Sequence, residues 1–144
     1  MHRLAAGFIL VVALLLRLPA FTAPFVFPHE ADSAPYSQAA RSRLRHGLAV
    51  TDGLASRAVA GETPGPDNFY LNHPPVIAWL IALAHRVLGP SDWATRLVPL
   101  LFSLAGLIVL YAATRRRWGD RVGLMTLEVA AFMPLSAYYG RVVK

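Results

Sequence analysis

The sequence predicts an all-α, polytopic membrane protein with one long polar loop. Hydrophobic residues make up 56% of its 144 residues and charged residues only 15%. The apolar residues are gathered in long blocks, which is typical of membrane-spanning helices rather than of a soluble domain. Six of the eight carboxylates lie between residues 28 and 96. The polar surface is therefore concentrated in one stretch between the apolar blocks.

The first apolar block runs from Leu4 to Phe27. Its first part, up to Leu16, has the charged start and apolar run of a signal peptide. With the residues beyond Arg17, however, the block reaches the ~20 residues that a membrane span requires. We therefore predict a retained span over about residues 4–27, in which Arg17 reaches a headgroup or faces a polar interior.

Residues of about 28–96 are predicted to form a loop outside the bilayer that contains two interfacial helices. The first, about 34–46, starts at a Ser cap followed by Pro and ends at Gly47. Its apolar residues recur every four positions beside a basic stripe that includes Arg41. This pattern fits a helix on the membrane surface near phosphate groups, or a solvated helix without a ligand.

The second interfacial helix, about 76–88, is too short to cross a bilayer. Two further spans are predicted over about 97–114 and 122–139, the latter interrupted by Glu128 and Pro134. An acid inside an apolar helix usually faces a protein interior, which is the expectation for Glu128. The positive-inside rule then places the N-terminus in the cytoplasm and the polar loop on the opposite side.

Charge and composition exclude some classes of function. The net charge of +6 does not indicate nucleic-acid binding, because the basic residues lie at the ends of apolar blocks or on one short helix. The absence of cysteine excludes disulfides and thiolate metal sites. Besides an enzyme, a small transporter or channel subunit and a non-catalytic membrane anchor stay open. A transporter would favour broken helices around a midplane site over a long acid-bearing loop.

Several short motifs occur in a fixed order along nearly the whole chain. They are residues 30–34 with Tyr36 and 39–41, residues 69–75 with 79–80, residues 88–89 and 92–97, and finally Pro134 with 138–141. No single motif is specific, but the ordered set resembles the N-terminal part of the GT-C glycosyltransferases. The most similar group contains the protein O-mannosyltransferases and the lipid A aminoarabinose transferases.

This resemblance implies an integral membrane enzyme that transfers a sugar from a polyprenyl-phosphate carrier to an acceptor outside the cytoplasm. In that family the catalytic carboxylate lies in the first external loop, on or just before a juxtamembrane helix. Asp32 matches this position best and Glu30 is the second choice. The resemblance also places a basic residue against the carrier phosphate just before a Pro-Pro pair, and here that residue is His73.

Displacement of a lipid phosphate from an anomeric carbon needs a base or an anion on the attacking side and cations around the leaving group. Asp32 would accept the proton of the acceptor hydroxyl or orient that hydroxyl, although a helix cap is an alternative role for it. His73, Arg41, Arg96 and Arg141 would stabilise the phosphate. A single direct displacement would invert the configuration of the sugar.

No cofactor is firmly expected from the sequence. Two imidazoles and two carboxylates, those of His29, Glu30, Asp32 and His73, are suitable ligands for a divalent cation, but their spacing matches no closed metal site. The expected location is a bacterial inner or plasma membrane, with membrane lipids as partners and the sugar and acceptor unspecified. Because relatives continue through many more helices, these 144 residues are expected to be an inactive fragment.

Overall fold

The computed structural model describes residues 2–19, 21–25, 33–71 and 74–143. Over these residues the structure is helical and contains no strand, which confirms the all-α prediction. The helices are α1 His2–Arg17, α2 Ser33–Thr51, α3 Val76–Leu88, α4 Asp92–Trp118, α5 Asp120–Phe132 and α6 Pro134–Tyr139. The chain divides into an apolar unit, Met1–Phe21 with Pro99–Arg141, and a loop unit, Thr22–Val98 with Val142–Lys144.

α1 and α4 differ in their capacity to cross a membrane. α1 ends at Arg17, where Pro19 disfavours a helical conformation of the residue before it. Its 16 residues extend about 24 Å, which is less than the ~30 Å thickness of a hydrocarbon core. α4 has 27 residues and a mean hydropathy of 2.2 over its most apolar window. Among the described residues it is the one helix that is long and apolar enough to span a bilayer.

The apolar stretch after α4 forms two helices rather than one. α5 ends at Phe132, and Met133 adopts φ −59° and ψ 122° before α6 starts at Pro134. Proline has no N–H to continue the helical hydrogen bonds, which accounts for the break. Glu128 is exposed on α5, so this unit does not enclose it, and the expectation that it faces a protein interior stays a prediction.

The core of the apolar unit is rich in alanine, and its outer surface carries large apolar residues. Its buried core is made of Ala6, Ala13, Leu107, Leu127 and Ala131. The exposed surfaces of α1, α4 and α5 carry Leu4, Phe8, Val11, Leu15, Leu101, Phe102, Ile108, Val109, Val122, Met125 and Val129. Small residues at helix contacts with large apolar residues around them are typical of helices that associate in lipid.

Arg17 is fully buried in the apolar unit, near the glycine at the end of α6. A Cβ atom at Gly140 would lie 2.5 Å from Ser103 Oγ and 2.7 Å from Arg17 Nε. These distances are shorter than any normal contact of a Cβ atom. The backbone of Gly140 therefore lies so close to the guanidinium that a side chain at this position would not fit.

The loop unit is built on the packing of α2 against α3. Their common core contains Tyr36 and Ala40 from α2 and Ile81 and Ala82 from α3. α2 is interrupted at Gly47, whose φ of 76° and ψ of 178° are not helical. Glycine adopts a positive φ readily, which explains why the interruption falls at this residue. It coincides with the predicted end of the 34–46 helix.

The segment between α2 and α3 doubles back on itself. An isolated antiparallel bridge joins Ser56 to Phe69, and the N–H of Tyr70 donates to the Ala55 carbonyl at 2.7 Å. The Gln38 side chain on α2 also donates to a carbonyl of this segment, that of Ala58, at 2.9 Å. The end of the segment is thereby fixed close to α2.

Candidate active site

Three of the predicted site residues, Glu30, Asp32 and His73, lie outside the described residues. The structure describes the residues that flank them in the sequence. Ser33 is the first residue of α2 and directly follows Asp32. Leu71 and Pro74 are the described residues on either side of residues 72 and 73. The candidate site is therefore built from these flanking residues and from the predicted arginines.

The start of α2 is anchored by Ser33. Its hydroxyl is fully buried, accepts a hydrogen bond from the N–H of Val143 at 3.1 Å and donates to the Val143 carbonyl at 3.4 Å. These two backbone hydrogen bonds use the hydroxyl donor and one of its two acceptor lone pairs. The residue after the candidate catalytic carboxylate is thus held in place by a distant part of the chain.

Aromatic contacts join the first turn of α2 to the segment that precedes His73. The rings of Tyr36 and Tyr70 meet edge to face, with centroids 6.0 Å apart and planes at 87°. The guanidinium of Arg57 lies 3.9 Å from the centre of the Tyr70 ring. Edge-to-face and cation–π geometries of this kind are attractive because of the quadrupole of the ring. The start of α2 and the segment that ends at Leu71 therefore belong to one packed cluster.

Arg41 is a partly exposed arginine of α2 that pairs with the start of α4. Its Nη2 lies 3.5 Å from Oδ1 of Asp92, and each side chain is about one-third exposed. A pair with this exposure contributes at most ~1 kcal/mol. Arg41 Nε makes no hydrogen bond within the described part of the chain. An incoming phosphate would therefore compete only with a weak ion pair for the exposed part of the guanidinium.

Arg96 is fully buried and its donors are directed at backbone carbonyls. Nη1 donates to the Ala23 carbonyl and Nη2 to the Pro24 carbonyl at 3.5 Å. The guanidinium also lies 4.5 Å from the centre of the Phe25 ring. Arg96 thus holds the segment of residues 23–25 in place, and its burial leaves no exposed face for a phosphate.

Arg141 is the one predicted site arginine that belongs to the apolar unit. Its guanidinium lies 5.5 Å from the centre of the Tyr138 ring. Within the described residues its Nε is buried and makes no hydrogen bond. The side chain is therefore held by an aromatic contact.

A buried polar cluster that was not predicted from the sequence links three helices of the loop unit. His85 Nε2 on α3 lies 2.9 Å from Thr95 Oγ1 on α4. The same hydroxyl lies 3.2 Å from Ser37 Oγ on α2 and 3.2 Å from the Ser91 carbonyl. The available signal was a histidine inside an apolar helix, since a buried imidazole needs a partner.

The environment of His85 favours its neutral form. Burial lowers the pKa of His85 below its ordinary value, and the positive charge of Arg41 lowers it further. The Ser91 carbonyl and the Asp92 carboxylate oppose these effects only in part. A neutral imidazole can both donate and accept, which suits its place beside a hydroxyl.

Comparison with known proteins identifies the family. A family model described as dolichyl-phosphate-mannose-protein mannosyltransferase matches residues 72–144, half of the chain. The chain belongs to the dolichyl-phosphate-mannose-protein mannosyltransferase family. Comparison with curated proteins and with solved structures gave no match. This membership confirms the resemblance to mannosyltransferases of the GT-C type and supports a membrane glycosyltransferase.

The region matched by the mannosyltransferase family covers α3 to α6. It includes His73, Arg96 and Arg141. Glu30, Asp32 and Arg41 precede it. The family match therefore covers three of the four residues predicted to bind the phosphate. It does not cover the candidate catalytic carboxylates, whose assignment depends on the sequence motifs.

Within the described part of this mannosyltransferase-family chain, no group of three or more acidic or histidine side chains is placed to hold a metal ion. The potential ligands named from the sequence, His29, Glu30, Asp32 and His73, lie outside that part. Among the described carboxylates, Asp92 and Asp120 are paired with arginines. The divalent cation thus stays a prediction from the sequence.

Proposed function

We propose that this protein transfers a sugar from a polyprenyl-phosphate carrier to a hydroxyl acceptor at the extracytoplasmic face of a membrane. Membership of the mannosyltransferase family supports the reaction class and, in general terms, a lipid-phosphate sugar donor. The identity of the sugar and that of the acceptor are not part of the proposal. The site proposed for the reaction lies at the N-terminal ends of α2 and α3.

In this proposal Asp32 is the base and His73 binds the donor phosphate. The acceptor oxygen forms a bond to the anomeric carbon while the bond from that carbon to the phosphate oxygen breaks. The acceptor proton passes to the Asp32 carboxylate, and the polyprenyl phosphate leaves with the electron pair of the broken bond. Attack and departure on opposite faces invert the anomeric configuration. Glu30 is the alternative base.

The arginines have different proposed roles. Arg41 is proposed as a phosphate ligand, because its contact with Asp92 is long and partly exposed. Arg141 keeps the phosphate role proposed for it from the sequence. Arg96 is proposed to act as a positioning residue, because its guanidinium is buried against the Ala23 and Pro24 carbonyls.

The observation that carries the proposal is the contact between Tyr36 and Tyr70, whose ring centroids are 6.0 Å apart. Tyr36 lies on the first turn of the helix that follows Asp32, and Tyr70 lies three residues before His73. A base and a phosphate ligand for one sugar must act within one small volume. The packing of both flanking segments in the loop unit supports that requirement.

We also propose the arrangement of the chain in the membrane. The spans are about 4–27, 97–114 and 122–139, the N-terminus is cytoplasmic, and the loop of about 28–96 is external. The large apolar side chains on the outer surfaces of α1, α4 and α5 support this proposal. α2 and α3 would then lie at the interface, close to the phosphates of lipids.

The test is sugar transfer by membranes that contain the complete protein with Asp32→Asn. Transfer from a labelled polyprenyl-phosphate sugar should fall by about 10²–10⁴-fold, the contribution of a positioned acid–base group. Asp67→Asn is the matched control, because Asp67 is an exposed carboxylate of the same loop. Glu30→Gln should keep most of the activity. Equal rates for Asp32→Asn and Asp67→Asn would remove Asp32 from the mechanism, and loss only in Glu30→Gln would transfer the role to Glu30.

A further inference from the structure

A cleft of about 530 Å³ in the loop unit is lined by residues of α2 and α3. Two arginines, Arg43 and Arg86, line it together with Trp79. Arg43 is the first cleft residue of α2 and Arg86 is the last cleft residue of α3, and each lies ten residues after the first residue of its helix. At 1.5 Å per residue, Arg43 lies about 15 Å along α2 from the end that follows Asp32.

Arg43 is held in a defined position at the cleft. Its guanidinium lies 4.8 Å from the centre of the Trp79 ring, and Nη1 donates to the Gly53 carbonyl at 3.5 Å. The indole N–H of Trp79 donates to the same carbonyl at 2.9 Å. Burial lowers the pKa of Arg43 from its ordinary value, yet an arginine keeps its charge at neutral pH.

The cleft has a positive charge and no acidic residue among the side chains that line it. Arg86 is exposed on α3, and none of the ion pairs of the described residues involves Arg43 or Arg86. Two guanidinium groups on opposite helices are a suitable arrangement for a phosphate, which accepts hydrogen bonds from several N–H donors.

The rest of the lining is apolar and exposed. Leu44, Leu48 and Leu83 line the cleft and are 42%, 58% and 58% exposed. A small hydrophilic anion would leave these leucines in water. An amphiphile with an anionic head and an alkyl chain would cover both the arginines and the leucines, so the chemistry of the cleft selects a lipid over a soluble phosphate compound.

We propose that the α2–α3 cleft binds an anionic glycerophospholipid of the surrounding bilayer. Arg43 and Arg86 contact its phosphate, and an acyl chain lies along Leu44, Leu48 and Leu83. The bound lipid holds the interfacial helices at the membrane surface. The proposal does not depend on Asp32 or His73.

The test is the affinity of the purified full chain for phosphatidylglycerol, measured by native mass spectrometry during a titration in detergent. Each basic residue near an anionic lipid surface strengthens binding by about fivefold. Arg86→Gln should therefore raise the Kd about fivefold, and the double variant Arg43→Gln/Arg86→Gln about thirtyfold. Arg86 is exposed, so its single variant tests the site even if the double variant folds poorly.

The control variant is Arg45→Gln/Arg117→Gln, which removes the same charge from two exposed positions outside the cleft. Its Kd for phosphatidylglycerol should stay close to that of the wild type. Equal weakening by the control would show general charge attraction and overturn the proposal. Equal affinity for phosphatidylcholine, or displacement of the lipid by excess inorganic phosphate, would also overturn it. Displacement by an equimolar polyprenyl phosphate would assign the cleft to the sugar donor instead.

Discussion

Replacement of Arg17 by methionine is expected to weaken the apolar unit strongly. All five N–H groups of its guanidinium have oxygen acceptors. Nε donates to Ser103 Oγ at 3.2 Å, Nη1 to the carbonyls of Ala13 and Ala131 at 2.9 and 3.4 Å, and Nη2 to the carbonyl and hydroxyl of Ser136 at 3.3 and 3.0 Å. Methionine keeps an unbranched apolar stem and removes only the guanidinium.

The size of the effect follows from the bonds that leave α1. Four of the five connect Arg17 to α4, α5 and α6. Hydrogen bonds between membrane helices average ~0.6 kcal/mol each, and acceptors left buried without a donor add ~1 kcal/mol or more. We expect Arg17→Met to lower the free energy of unfolding by about 3 kcal/mol. Lysine offers three donors on one atom, so Arg17→Lys should lose about half as much.

The measurement is equilibrium unfolding of the purified chain in mixed detergent micelles, with helicity followed by circular dichroism. Arg3→Met at the exposed start of α1 is the control and should leave the free energy unchanged. Ser136→Ala should cost about 1 kcal/mol in the wild type and almost nothing beside Arg17→Met, because the two side chains share a bond. A loss under about 0.5 kcal/mol for Arg17→Met, or strict additivity with Ser136→Ala, would refute the reasoning.

Two further predictions concern close helix packing and pH. Gly123→Ala should lower the free energy of unfolding by about 1–3 kcal/mol, because the new Cβ would lie 2.9 Å from Arg115 Cβ. The control is Gly106→Ala, which should be neutral or stabilising because no atom lies within 4 Å of the new Cβ. Equal effects of the two substitutions would contradict this explanation. The unfolded chain protonates His85 near its ordinary pKa of about 6.5, whereas burial lowers the pKa of His85 in the folded state. The contribution of neutral His85 to the free energy of unfolding should therefore be fully present above a pH of about 6.5 and decrease as the pH falls below it. Amide exchange of α3 should reveal this loss in the wild type but not in His85→Gln. An identical pH dependence in both proteins would exclude His85 as the cause.

Local features of the sequence predict much of the helical structure. The apolar run 76–88 has the same bounds as α3, because Pro75 precedes it and Gly89, with φ 87°, follows it. α4 extends beyond the predicted span of 97–114 at both ends. Asp92 lies in its first turn and three arginines lie in its last turn. These charges suit the helix dipole but lower the hydropathy, so a search for apolar residues finds only the central part.

The tertiary partners of the polar residues could not be predicted in the same way. Arg96 lies at a predicted membrane boundary, a position that suggests a headgroup or a donor phosphate, yet its guanidinium donates to the Ala23 and Pro24 carbonyls. His85 and Ser37 meet through the hydroxyl of Thr95. Such pairings depend on which faces of distant helices come together, and no local period or motif contains that information.

The close approach of Gly140 to Arg17 gives a steric meaning to part of the Tyr-Gly-Arg sequence at the end of α6. The volume that a methyl group would need at residue 140 is taken by a guanidinium from the first helix. A designer who wants a larger residue at this position must first shorten residue 17 and supply new donors to Ser103 and Ser136. Residues 17 and 140, although far apart in the sequence, can therefore be changed only together.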